Sequence, residues 1–173
     1  MSAEAVTTVA DDRDDAFDAY VLARKASLVR TAYLLCGDLA TAEDLVQDTL
    51  AKLYVSWHRV QRRESLDGYV RRILVNEHHS LWRRGWKLRE VPSNVVPELA
   101  RADELPAPDV ERQVWSKVCS LPPRQRAVIV LRFYEDLSER EIASTLGVSP
   151  GTVKSQCSKA LAHLRATTEE VRR

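Results

Sequence analysis

Pro92, Pro97, Pro106 and Pro108 all fall in the stretch REVPSNVVPELARADELPAPDVE, residues 89–111. Proline has no backbone donor and pushes the residue before it out of helical space, so no helix can run through this stretch. The stretch also lacks a sustained apolar period and carries several acids; residues 90–108 therefore read as a flexible linker. On both sides the apolar residues recur at helical spacing. Glycine occurs only 5 times and β-branched alternation is scarce, which argues against strands. The expectation is an all-α chain of two small helical domains on that linker. The parts are an acidic tail over 1–13, a helical bundle over 14–89, the linker, a helix-turn-helix domain over 109–167 and a short tail over 168–173. A chain of 173 residues divided in this way can bury two modest cores.

In the first block, Phe17, Val21, Leu28, Ala32 and Leu35 recur at near-helical spacing, and the glycine of CGD, Gly37, ends that helix. The stretch TAEDLVQDTLAKLYVSW follows. Thr41 is its expected N-cap, with Asp44 in the capping-box place. Ala42, Leu45, Val46, Leu50, Leu53, Tyr54 and Trp57 form one stripe, and Glu43, Asp44, Gln47, Asp48 and Lys52 fall on the other side. After the polar loop HRVQRRESLDG, the stretch YVRRILVNEHHSLWRRGWK turns Val70, Ile73, Leu74 and Leu81 inward. It leaves Arg71, Arg72, Asn76, Arg83 and Arg84 to water or a partner.

Formal net charge is only +1, so total charge does not announce nucleic acid. Its distribution does more. From Arg59 to Glu90 nine Lys and Arg face four acids, a local surplus of five, whereas Asp11, Asp12, Asp14, Asp15 and Asp18 crowd the start. A concentrated basic stretch is the electrostatic footprint of phosphate binding.

The second block opens with VERQVWSKVCSL, apolar at Val114, Trp115, Val118 and Leu121. PPRQRAVIVLRFYEDL then starts a helix, its prolines in the first turn where a missing donor costs nothing. LSEREIASTLGVSPGTVKSQCSKALAHLR completes it. Ser138 and Glu141 have capping-box spacing, and Ile142, Ala143 and Leu146 face inward. Gly147 permits a left-handed turn, Ser149 caps the next helix, and Pro150 takes its first position. Val153, Cys157, Ala160, Leu161 and Leu164 pack back, so Thr152, Lys154, Ser155, Gln156, Ser158 and Lys159 point outward. This is helix-turn-helix grammar, in which the second helix enters the major groove. An amide suits adenine, a lysine suits guanine or phosphate, and the helix N-terminus offers amides to phosphate.

Other classes find little support. The three cysteines Cys36, Cys119 and Cys157 are odd in number and form no CxxC pair, so neither a disulfide framework nor a zinc set is expected. No metal or other cofactor is expected. His78 and His79 are adjacent on a helix, about 100° apart, and do not converge on one metal. No nucleophile–base set and no phosphate-cradling glycine loop is present, so no enzyme is expected. No apolar run approaches the roughly 18 to 20 residues of a bilayer span, and the acidic N-terminus is no secretory signal. The expected location is a reducing cytoplasm, without membrane insertion. A regulator built on a similar helix-turn-helix would carry a receiver or ligand domain, and the first block has no strands for one.

Three stretches occur in order: GDLATAEDLVQDTLAKLYVSW, GYVRRILVNEHHSLWRR and LPPRQRAVIVLRFYEDLSEREIASTLGVSPGTVKSQCSKALAHLR. Over residues 14–167 the chain resembles an extracytoplasmic-function RNA polymerase sigma factor of the sigma-70 superfamily. It is most similar to the actinobacterial SigE-family subgroup. The resemblance implies a region 2-like domain that binds the β′ clamp helices of core RNA polymerase and melts the −10 element. It implies a region 4-like domain that binds the β flap and reads the −35 element of promoter DNA. Asp44, Leu45, Gln47 and Asp48 would meet core polymerase. Arg62, Arg63, Arg71, Arg72, Asn76, Arg83 and Arg84 would hold −10 DNA, with Trp82 and Trp86 as candidates for base stacking. Arg124, Arg126, Ser149, Thr152, Lys154, Ser155, Gln156, Ser158 and Lys159 would face −35 DNA. An anti-sigma factor is a further candidate partner. Two departures stand out: Gln156 where many relatives carry arginine, and a −10 loop with QRRES in place of an aromatic-rich centre.

Overall fold

The computed structural model describes residues 4–62, 65–88 and 109–171. The expected linker over 90–108 lies outside these residues, as do Arg63 and the side chains of Trp82, Arg83, Arg84 and Trp86. Every described element is helical: α1 (Glu4–Cys36), α2 (Leu39–Val60), α3 (Leu66–Leu88), α4 (Asp109–Cys119), α5 (Pro123–Ile129), α6 (Glu139–Leu146) and α7 (Pro150–Val171). A π-helical turn, Val130–Tyr134, continues α5.

The segment expected as a tail is helical from Glu4. No glycine or proline occurs before Gly37, so nothing in the backbone stops the helix from extending outward. Gly37 then closes α1 at φ 78°, its N–H donating to the Tyr33 carbonyl at 2.7 Å. The N-cap of α2 is Asp38 and not Thr41. Asp38 leaves the glycine in extended geometry, and its carboxylate accepts from the Thr41 N–H at 2.7 Å and from the Thr41 hydroxyl at 2.6 Å. Those bonds hold the Asp38 carboxyl below the usual carboxylate range.

The stripe expected on α2 is largely inside. Ala42, Leu45, Val46, Leu53 and Trp57 are buried, Leu50 is half-buried and Tyr54 lies at the margin. On α3, Val70 and Leu74 are buried as expected. Val75 replaces Ile73 among the buried positions, because the face that meets α1 and α2 is set one residue further along. A lateral cluster joins Leu53, Trp57, Val60 and Val70, with Phe17 and Tyr20 of α1 against the indole.

The main core does not divide at the linker. Ala32, Tyr33, Leu34 and Leu35 of α1 and Leu74 and Val75 of α3 belong to the same buried cluster as Val118, Leu121, Val128, Leu131, Ile142 and Val153. The two blocks were expected to bury separate cores, yet here they share one. The cause lies in α1, whose last turn and a half is buried all round. Thr31 to Leu35 are successively buried, and α2 and α3 can cover only part of that circumference. The second block covers the remainder.

Two basic side chains are sealed at this junction. Arg126 of α5 is only 8% exposed, and its guanidinium donates to the Leu35 carbonyl at 3.2 Å and to the Leu121 carbonyl at 3.1 Å. It thereby caps the C-terminal end of α1, where a cation is favoured. His78 of α3 is buried beside it, its Nδ1 without a partner. Burial, then the charges of His79 and Arg126, push the His78 imidazole down to about 4, with the Leu35 carbonyl pulling the other way. The unfolded chain therefore takes up the proton first as pH falls. The neutral ring's contribution is complete above about pH 6.5 and is lost as pH drops towards 4. At pH 5 the loss amounts to about 2 kcal/mol. Denaturant titrations at pH 7.5 and pH 5 should find wild type losing that much more than His78→Gln. Equal losses would show that the ring is not buried neutral.

Candidate DNA and polymerase interfaces

The helix-turn-helix is set by local chemistry. Ser138 and Glu141 form a reciprocal capping box: the Ser138 N–H donates to the Glu141 carboxylate at 2.8 Å, and the Glu141 N–H donates to the Ser138 hydroxyl at 3.3 Å. The bonds from Ser138 hold the Glu141 carboxyl below its usual range. Gly147 ends α6 in the left-handed region at φ 66°, and the Val148 N–H returns to the Ala143 carbonyl at 3.0 Å. Ser149 caps α7, accepting from the Thr152 N–H at 3.1 Å. Its hydroxyl also meets that of Thr152 at 2.9 Å, so both side chains are engaged in the cap.

Val153 and Ala160 anchor α7 inward at 1% and 0% exposure. This phase leaves Thr152, Lys154, Ser155, Ser158 and Lys159 exposed, together with Ser149 in the turn. Gln156 is half-buried at the edge of that face. Two cations and short hydroxyls on an exposed, N-capped helix suit phosphates and base edges.

On α2, Asp44, Gln47 and Asp48 are exposed along one side, a polar and acidic surface open to a basic partner. Leu45 is not part of it. At 0% exposure it belongs to the core, in phase with Ala42, Thr49 and Leu53, and cannot touch a partner directly. Next to this surface Lys52 pairs with Glu77 of α3.

On α3, Asn76 is exposed, as is Arg62 after the end of α2. Arg71 is half-buried and not left to water, whereas Arg72 is exposed as expected. The Arg71 Nε donates to the Glu135 carboxylate at 2.8 Å, with side chains 22% and 16% exposed. Thr31 donates to the other oxygen of Glu135. Arg72 donates to the Ser144 hydroxyl of α6 at 2.9 Å. These contacts arise because the second block docks over α3. A cleft of about 510 Å³ remains between them, lined by Tyr69, Arg71 and Arg72 on one side and Leu137, Glu141 and Ser144 on the other.

Arg124 is exposed on α5, while Arg126 is the buried cap described above. The expectation that Arg126 touches phosphate fails here because both of its terminal nitrogens are used on backbone carbonyls. Sequence reasoning missed Glu135, Ser144 and Asp38. Only Asp38 had a local signal, its spacing to Thr41. No group of three or more metal-ligating side chains comes together among the described residues, and no helix among them is long and apolar enough to cross a membrane.

Comparison with known proteins follows the same division. The Sigma-70 region 2 family matches residues 20–88, covering the end of α1 through α3, and the Sigma-70, region 4 family matches residues 111–164, the helix-turn-helix block. The RNA polymerase sigma-E factor of Streptomyces coelicolor is 39% identical over 150 residues, 86% of this chain and 84% of that protein. The ECF RNA polymerase sigma factor SigE of Mycolicibacterium smegmatis is 34% identical over 147 residues, 79% of this chain and 55% of that longer protein. The chain belongs to the extracytoplasmic-function sigma factors of the sigma-70 family. It is a promoter-recognising, DNA-binding factor for transcription initiation. Among solved structures, the sigma factor RpoE from Bartonella quintana, crystallised with the anti-sigma factor NepR, matches with a TM-score of 0.69 and 27% identity. That match covers 88% of this sigma factor and 96% of the other chain.

Proposed function

We propose that this sigma factor divides its work between the two faces described above. The exposed side of α2 at Asp44, Gln47 and Asp48 docks on the β′ clamp helices of core RNA polymerase, its acids meeting a basic surface. Arg62, Arg71, Arg72 and Asn76, with Arg63, Arg83 and Arg84, hold the −10 region as it is melted. Melting needs unpaired bases held away from their complement and phosphates neutralised. Ser149, Thr152, Lys154, Ser155, Gln156, Ser158 and Lys159 meet the −35 element in the major groove, and Arg124 touches phosphate or the β flap. Arg126 takes no part in DNA contact. The factor itself carries out no chemistry, works in the cytoplasm and is held in check by an anti-sigma factor.

The observation that carries this reading is the exposed face of α7, N-capped by Ser149, on the same chain as the acidic face of α2. The experiment is run-off transcription with sigma-free core polymerase on upstream regions from the source genome, beside a core-capture assay. Specific, protein-dependent transcripts are expected, and aligned start sites would reveal both promoter elements. Asp44→Lys with Asp48→Lys should lose core capture by at least about tenfold, as reversed charges at a steered interface do. If wild type fails to bind core, the division of work collapses and a stand-alone DNA-binding regulator takes its place.

A further inference from the structure

Two acids, two apolar side chains and two arginines follow one another along the outer face of α2. Asp44, Asp48, Ala51, Val55, Arg59 and Arg62 recur at spacings of four, three, four, four and three residues, which is one stripe on a helix. All six are exposed, Val55 at 83%. The cap residue Gln61 keeps helical geometry, so Arg62 continues the line just past the end of α2.

Nothing within the chain accounts for this order. Asp44 and Asp48 lie beyond the first turn, where the helix dipole no longer favours an acid, and at a spacing of four they repel one another. Neither acid and neither arginine is ion-paired among the described residues, and the neighbouring Lys52 turns aside to Glu77. Valine is a weaker helix former than alanine or leucine, and an exposed place in mid-helix gives it no burial in return.

The stripe is complementary to itself when reversed. With a second α2 turned end for end about a two-fold axis beside residue 53, Asp44 faces Arg62, Asp48 faces Arg59 and Ala51 faces Val55, each pairing occurring twice. The acids then gain the counter-charges they lack. The valine packs against the smallest side chain of the stripe, which lets the two helices approach closely. We propose that the free chain self-associates as a two-fold dimer through this stripe, with the two α2 helices antiparallel. One helix face is a small interface, so the dimer is weak, with a Kd on the order of 10 µM. Asp44 and Asp48 are also the acids assigned above to core polymerase. Resting on that assignment, dimer and polymerase complex exclude one another, and core binding draws the dimer apart by mass action.

The test is sedimentation velocity of the full chain over about 1 to 300 µM, a range that brackets the expected Kd. Wild type should pass from the mass of one chain to that of two. Asp44→Lys with Asp48→Lys leaves only cations among the four charges of the stripe, and Arg59→Glu with Arg62→Glu leaves only acids. Each double variant should self-associate at least about tenfold more weakly, because like charges then face one another at every contact. Mixed in equal amounts, the two should pair to within about threefold of wild type, because every contact again joins opposite charges. Val55→Asp should weaken wild-type association by at least about tenfold and, added to both members of the mixture, should prevent the rescue. All these changes lie at the surface, and circular dichroism identical to wild type separates lost pairing from lost folding. Wild type that sediments as one chain throughout overturns the dimer. So does undiminished association of both charge variants, or a mixture no stronger than its parts. Core polymerase added to the wild-type dimer should leave one chain per polymerase. Capture of the dimer whole leaves the self-pairing standing and overturns instead the placement of core polymerase on α2.

Discussion

Reversing two charges on α7, Lys154→Glu together with Lys159→Glu, should lower promoter-specific run-off transcription by about 100-fold or more while core capture stays intact. Both lysines are exposed on the face opposite Val153 and Ala160, so the change costs the fold little. Each lysine that meets a phosphate or a guanine edge contributes on the order of 1–3 kcal/mol, so two lost contacts give about 30-fold at the low end and pass about 100-fold once each is worth about 1.4 kcal/mol, with the repulsion of the two new carboxylates added to that. Salt dependence tells the two kinds of contact apart. If both lysines neutralise phosphates, the slope of log affinity against log salt should fall by about 2. An unchanged slope with the same loss would assign them to base edges. Full transcription from the double variant would remove α7 as the reader, whatever its capping pattern.

The double variant rests on features legible before any coordinates. Ser138, Gly147, Ser149 and Pro150 specify where α6 and α7 start and stop, each through contacts within a few residues, and the helical period then decides which side chains face out. Gly37 and the stripe on α2 were legible for the same reason. Leu45 is where the period and the resemblance part: the period puts it in the apolar stripe with Ala42 and Leu53, where it is buried, while the resemblance sets it among the polymerase contacts. The remaining differences have another origin. Arg71 and Glu135 are 64 residues apart, and Arg126 lies 91 residues from the carbonyl it caps. Nothing local distinguishes Arg126 from Arg124, yet one is buried and the other exposed. Which arginine goes inside depends on how the second block covers the last turns of α1, and that is a property of the assembled core. The candidate site is therefore legible on α7, whose outer face is uncovered, and only partly legible on α3, against which the second domain packs.

Trp57 links the two faces of the first domain, and Trp57→Ala should be the most destabilising of these changes. The indole is 3% exposed at the end of α2, with Phe17 at 5.3 Å and Tyr20 at 5.5 Å between ring centroids. Truncation removes both ring contacts and leaves a cavity beside Leu53, Val60 and Val70, a loss of about 3–5 kcal/mol. At 2–4 °C for each kcal/mol in a chain of this size, Tm should fall by roughly 10 °C. Because Val70 stands one residue before Arg71, the cavity also loosens the helix that carries the −10 arginines. Transcription by the alanine variant should accordingly fail on warming and return on cooling. Trp57→Phe is the informative partner. The Trp57 Nε1 is buried without a hydrogen-bond acceptor, so phenylalanine gives up ring volume but also removes an orphaned donor. Its net loss should stay below about 2 kcal/mol. If phenylalanine proves as damaging as alanine, the indole nitrogen must have an acceptor, and the site is held by a polar contact as well as by its rings.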